Sequence, residues 1–125
     1  MKQIKEAYRD MPAEQLARLC AKTAVDTKAE ELIILDVRGL SSFTDYFVIM
    51  NGTSARHVQA LAEAIEAKLR SKRIRTSTAE GLGEGKWVLL DFDDVVVHIF
   101  YYEERKFYDL EGLWAEAKQI PIATD

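Results

Sequence analysis

At 125 residues the chain has room for one domain with one core and too little for two. Its 48% hydrophobic and 30% charged residues are those of an ordinary globular protein, and a net charge of −4 argues against holding nucleic acid chiefly through phosphates. One cysteine, Cys20, excludes an internal disulfide; no apolar run reaches membrane-spanning length, and Met1 to Gln15 carries neither an apolar signal core nor an Arg-rich presequence pattern, so a cytoplasmic location with no membrane partner is expected.

Along the chain, Pro12 suits a helix's first turn, and Leu16, Leu19, Cys20, Thr23, Ala24 and Thr27 follow at helical spacing. Cys20 falls on that stripe and reads as packing rather than as a nucleophile. Glu31 to Val37 predicts a buried strand, followed by a loop at Arg38 to Ser42, and Asp45 to Met50 predicts a second strand. Asn51-Gly52-Thr53-Ser54 turns the chain into a helix capped by Thr53 or Ser54, with Val58, Leu61, Ala62, Ile65 and Leu69 on its apolar stripe. Ile74 to Ala79 predicts a third, poorer strand, and Gly81 to Gly85 a flexible loop. Near the end, Asp109 predicts the cap of a last helix, with Leu110, Leu113, Trp114 and Ala117 on one face and Pro121 as its stop.

Before that helix, Trp87 to Phe92 and Val95 to Phe100 read as two strands joined at Asp93-Asp94, each dense in β-branched and aromatic residues. With a tight turn, alternation puts Val88, Leu90, Phe92, Val95, Val97 and Ile99 on one apolar face. The opposite face carries Trp87, Leu89, Asp91, Val96, His98 and Phe100. Packing alone gives little reason for Asp91 and His98, and exposure to water gives little reason for Trp87 and Phe100. Such a mixture suits a surface that a partner covers part of the time. The order helix, strand, strand, helix, strand, strand, strand, helix implies an α+β fold over residues 1–125, a mixed β-sheet flanked by helices.

Candidate chemistry is sparse. His57, His98 and Cys20 show no ligand spacing, so no metal site is expected, and no local motif pairs a nucleophile with histidine. His57, in a helix's first turn, reads as a neutral surface or packing residue. His98 reads either as a hydrogen-bonded structural residue or as part of the mixed face, with Leu89 as its cross-strand neighbour. Gly52-Thr53-Ser54 is either a helix cap or a phosphate-holding turn of the kind nucleotide-transferring domains use. Those domains also need acidic pairs for Mg²⁺, and Glu63 and Glu66 lie on a helix rather than on a metal-binding strand. Lys68 to Arg75 reads as cations complementing a helix C-terminus or as an RNA-backbone contact. Arg105 and Asp109 form either a local ion pair and cap or the polar rim of an aromatic patch.

Taken together, Asp45-Tyr46-Phe47-Val48-Ile49, Gly52 to Val58, Trp87 to Asp91, Val95 to Phe100 and Arg105-Lys106-Phe107-Tyr108-Asp109-Leu110-Glu111-Gly112-Leu113-Trp114 closely resemble the ribosomal silencing factor family, also called the Iojap family. The match runs from about Leu16 to Trp114 in order. The resemblance implies a nucleotidyltransferase-like fold lacking catalytic carboxylates, and no enzymatic activity, catalytic residue or cofactor. It implies binding to ribosomal protein fourteen of the large subunit, a block on subunit joining that represses translation when nutrients are scarce, and self-association as a homodimer. On this reading Trp87, Leu89 and Phe100 are apolar anchors, Asp91 and Asp94 meet basic residues, and His98 hydrogen-bonds at the edge. Arg105, Tyr108 and Asp109 extend the patch, and Lys68 to Arg75 offers a minor ribosomal RNA contact. One departure is that Asp93 stands where many members have glycine. The alternative is a nucleotide-binding enzyme that uses Gly52, Thr53 and Ser54 for phosphate.

Overall fold

The aliphatic runs of the sequence become the middle of a six-stranded sheet. In a computed structural model describing residues 11–122, the elements are α1 (Ala13–Asp26), β1 (Glu30–Asp36), β2 (Tyr46–Gly52), α2 (Ala55–Ser71) and β3 (Thr78–Glu80). They continue with β4 (Trp87–Asp91), β5 (Val95–Tyr101), α3 (Tyr102–Tyr108), α4 (Leu110–Leu113) and β6 (Lys118–Ile120). The leader reading of Met1 to Gln15 falls mostly outside the described residues. Strand order is β3-β4-β5-β2-β1-β6; only β2 and β5 pair in parallel, and the other neighbours are antiparallel. The α+β class with a mixed sheet is therefore as read.

One sheet face packs under α1 and α2. Val88, Leu90, Phe92, Val95, Val97 and Ile99 all lie in that core with Ile34, Val48 and Met50. The predicted α2 stripe of Val58, Leu61, Ala62, Ile65 and Leu69 is the buried stripe. On α1 the buried residues are Leu16, Ala17, Cys20, Ala21 and Ala24, so two alanines join the stripe while Leu19 and Thr23 sit at its margin. Burial pushes the Cys20 thiol up to about 12, in keeping with a packing role.

Both long helices end in the same way. After α1, Lys28 has φ of 70°, its N–H donates to Val25 O, and Ala29 N–H reaches back to Ala24 O. After α2, Arg73 has φ of 64°, its N–H donates to Arg70 O, and Ile74 N–H reaches Leu69 O. These are Schellman caps, the second closed by buried Leu69 and Ile74. A left-handed residue at that position is normally glycine, because a Cβ is strained there. Arg73→Gly is thus expected to raise stability by about 0.5–1 kcal/mol, read as a higher urea midpoint at an unchanged slope.

Three sequence expectations are corrected. Ile74 to Ala79 is not one strand: Ile74 closes the α2 cap, and only Thr78–Glu80 pairs with β4. The loop from Gly81 to Gly85 is pinned rather than flexible, since Gln59 Nε2 donates to Leu82 O at 2.9 Å and to Gly83 O at 3.2 Å. Gly81 there has φ of 83°, and a Cβ would come within 2.0 Å of Trp87 O. The last helix is a single turn; Lys118–Ile120 instead pairs with the outer edge of β1, so Pro121 follows a strand. An unpaired edge of β1 would leave its backbone groups without ladder partners, and the chain's end supplies them. The sequence reading also lacked α3, whose acids Glu103 and Glu104 in the first turn and bases Arg105 and Lys106 in the last were its available signal.

Candidate functional site

The other sheet face is built from alternate residues of the same strands. Pairing brings Trp87 opposite Phe100, Leu89 opposite His98 and Asp91 opposite Val96, the register read from the sequence. The turn is tight: Phe92 N–H donates to Val95 O at 2.9 Å, and Asp91 Oδ1 accepts from Asp93 N–H at 2.7 Å. Asp93 has φ of 75°, the left-handed conformation that glycine favours. Neighbouring β2 and β1 add Phe47, Ile49 and Leu35, which with Val37, Val96, Phe100 and Leu110 form a second core. This layer lies on the side away from the long helices, and among the described residues α3, α4 and the turn after them lie above it.

Aromatic rings run across the layer. Trp87 stacks on Phe100 at 5.1 Å and meets Tyr108 at 4.4 Å between ring centroids. His98 meets Phe47 edge-on at 5.2 Å, and Phe47 meets Trp114 edge-on at 5.2 Å. Trp87 Nε1–H donates to His98 Nδ1 at 3.1 Å, which places the imidazole proton on Nε2. His98 is 5% exposed, and burial pushes its pKa from 6.5 down to about 4, so the ring is neutral at pH 7.

The expected site residues divide by depth. Trp87, Leu89, Asp91 and Asp94 are half-buried, and Tyr108 and Asp109 are exposed. Phe100 is 0% exposed, which corrects its reading as an anchor: it is the floor on which Trp87 rests. His98 is likewise interior, not an edge donor to a partner. Arg105 is 6% exposed rather than a rim charge; its guanidinium meets Glu111, Asn51 and the carbonyl of Glu31. Asp109 caps α4, accepting from Gly112 N–H at 3.2 Å. Phe47 and half-buried Trp114, which the sequence reading did not place on this face, belong to it through their alternation and ring contacts. Beside them Leu113 is 74% exposed, off the apolar stripe assigned to it, and Leu40 is 44% exposed.

The alternative phosphate turn is occupied by its own side chains. Ser54 Oγ accepts from His57 N–H at 3.0 Å, Thr53 N–H donates to His57 Nδ1 at 3.0 Å, and His57 Nε2 bonds Thr27 O at 2.9 Å. His57 thereby ties the start of α2 to the end of α1. Among the described residues no group of three His, Cys, Asp or Glu could hold a metal ion. In the basic stretch Lys68, Arg70, Lys72, Arg73 and Arg75 are exposed, at the end of a helix on the opposite side of the sheet from the aromatic row.

Comparison with known proteins gives concordant matches. Residues 10–125 match the family model described as ribosomal silencing factor during starvation. The chain is 39% identical over 107 residues to the ribosomal silencing factor RsfS of Bacillus subtilis, spanning 86% of this chain and 91% of that one. It is 36% identical over 123 residues to the chloroplastic protein Iojap of Zea mays, spanning 96% of this chain and 52% of that one. A crystal structure of a Chromobacterium violaceum protein superposes with a TM-score of 0.82 at 32% identity, covering 92% of this chain and 95% of that one.

Proposed function

The chain belongs to the ribosomal silencing factor family, and from this we propose that it docks on the large ribosomal subunit through the Trp87 face and blocks joining of the small subunit. The observation that carries the reading is the sheet face holding Trp87, Leu89 and Asp91 half-exposed, with Tyr108 beside them, on the side the long helices leave uncovered. Ring area that is partly desolvated and already ordered makes a strong anchor, because little side-chain freedom remains to be lost on binding.

The partner in this reading is ribosomal protein fourteen, as the family resemblance implies, with Trp87 and Leu89 as apolar anchors and Tyr108 extending the patch. Asp91 and Asp94 face basic side chains of the partner. The mechanism is exclusion: a domain with a radius of gyration of about 13–15 Å cannot share a subunit interface that closes to contact distance. No bond is made or broken. Cytoplasmic location, repression of translation under nutrient limitation and homodimer formation belong to the same reading. A ribosomal RNA contact through Lys68–Arg75 would be a second site, on the opposite side of the sheet.

Co-sedimentation with separated large and small subunits tests the proposal. Binding to the large subunit alone, followed by loss of subunit joining, is the expected result; binding to neither overturns it. Asp94→Ala should weaken large-subunit binding by less than about fivefold, and titration at rising salt should shrink the difference, as for a rim charge. The competing enzyme reading predicts stabilisation by ATP or GTP with Mg²⁺, about 2.7 kcal/mol at a hundredfold excess over Kd.

A further inference from the structure

Arg105 is a buried cation whose partners come from three other elements. Burying a guanidinium is costly unless its donors are met. Here Nε and Nη2 reach Glu111 Oε2 at 2.9 and 2.8 Å, and Nη1 donates to Asn51 Oδ1 at 3.0 Å and to Glu31 O. Asn51, 2% exposed, lies near the end of β2. Glu31 lies in a bulge, where β1 shifts register against β2 between Glu30 and Ile33, and has φ of 49°. One side chain of α3 therefore joins α4, β2 and the bulge of β1.

The ion pair spans a corner. Between Arg105 and Glu111 the chain turns at Asp109, with φ of 48°, and the two short helices meet there. Immediately before the corner is Tyr108, on Trp87; immediately after it is Leu110, in the second core. Neither helix is long enough to hold its own direction, so their placement depends on what ties them to the sheet.

We propose that Arg105, through Glu111 and Asn51, is a positioning residue for the docking face, holding the α3–α4 corner so that Tyr108 stays against Trp87, without itself touching the partner. This rests on the reading of that face as the ribosome-binding surface. A fork-shaped cation is required, because lysine cannot meet Glu111 and Asn51 at once with the same geometry.

The test compares wild type with Arg105→Lys, Arg105→Gln and Glu111→Gln, each confirmed folded by far-UV dichroism and a melting curve. Glu111→Gln is the variant most certain to fold, since that side chain is 36% exposed. Arg105→Gln and Glu111→Gln are each expected to weaken large-subunit binding about tenfold, with no added loss in the double variant, because both break one coupled contact. The salt dependence of binding should keep the wild-type slope, as it would not if a partner-facing charge had been removed. Arg105→Lys should rescue little. Full affinity in folded Arg105→Gln and Glu111→Gln overturns the proposal, and so does a lowered salt slope in Arg105→Gln alongside a neutral Glu111→Gln. Trp87 fluorescence in a Trp114→Phe background supplies a readout free of the ribosome: loosening of Tyr108 should shift the emission to the red in Glu111→Gln. Unchanged emission overturns the positioning role. A wild-type protein that binds no subunit, with the emission shift present, overturns the docking reading and supports the clamp.

Discussion

Trp87→Ala is expected to weaken binding to the large ribosomal subunit by roughly thirtyfold or more, corresponding to about 2 kcal/mol. The indole is a large, half-exposed group on the sheet face that the long helices leave open, and it is rigidly held: it stacks on Phe100, meets Tyr108 and donates to His98. Truncation removes the apolar area, uncovers Phe100 and leaves His98 Nδ1 without its donor. Part of the cost therefore falls on the free protein. Trp87→Phe narrows the comparison, since it keeps a ring over Phe100 while losing the N–H and part of the indole's apolar area. Its binding should lie between wild type and Trp87→Ala. Equilibrium titration of labelled protein against large subunits, at a temperature where each variant is folded, gives the numbers. Retention of wild-type affinity by a folded Trp87→Ala would move the docking surface elsewhere.

Acid should cost the protein about 3 kcal/mol through His98 alone. The unfolded chain protonates this imidazole near the ordinary 6.5, and the folded protein only near 4. Between those values the unfolded state holds a proton that the folded state does not. Stability is therefore full above pH 6.5, falls as pH drops through the window, and levels off below about pH 4. The Trp87 hydrogen bond acts in the same direction, because a protonated Nδ1 cannot accept it. Asp36, whose carboxyl is held down by its hydrogen bond to Arg38, loses its contribution only below the ordinary 3.8, outside that window. Urea midpoints for wild type and His98→Phe between pH 7 and pH 4 isolate the effect. Wild type should lose the extra stability and His98→Phe should not; equal slopes would remove His98 as the cause.

Parts of this site are legible in the sequence. Strand alternation around Asp93-Asp94 placed Trp87, Leu89, Asp91, Val96, His98 and Phe100 together, and the pairing follows that register. The family resemblance rested on the same segments, and the matched family model spans them. Depth was not legible. Phe100 and Trp87 share a face and a cross-strand pair, yet one is closed off and the other half-open, because the indole covers the phenyl ring. The depth of Arg105 is hidden for a related reason: its burial depends on Asn51 and Glu31, which lie 54 and 74 residues away in sequence.

What the sequence determined by itself is periodic and local: the α2 stripe, the hairpin faces, the Ser54 cap and the α+β class. A hydrophobic period survives in one chain segment because each residue's direction follows from its own backbone geometry. Tertiary structure alone decided that α1 and α2 cover one face of the sheet and leave the other to a short corner, that Lys118–Ile120 becomes an edge strand, and that Arg105 is buried. Each depends on which group from a distant segment arrives to exclude water or supply a hydrogen-bond partner, and no local pattern carries that information.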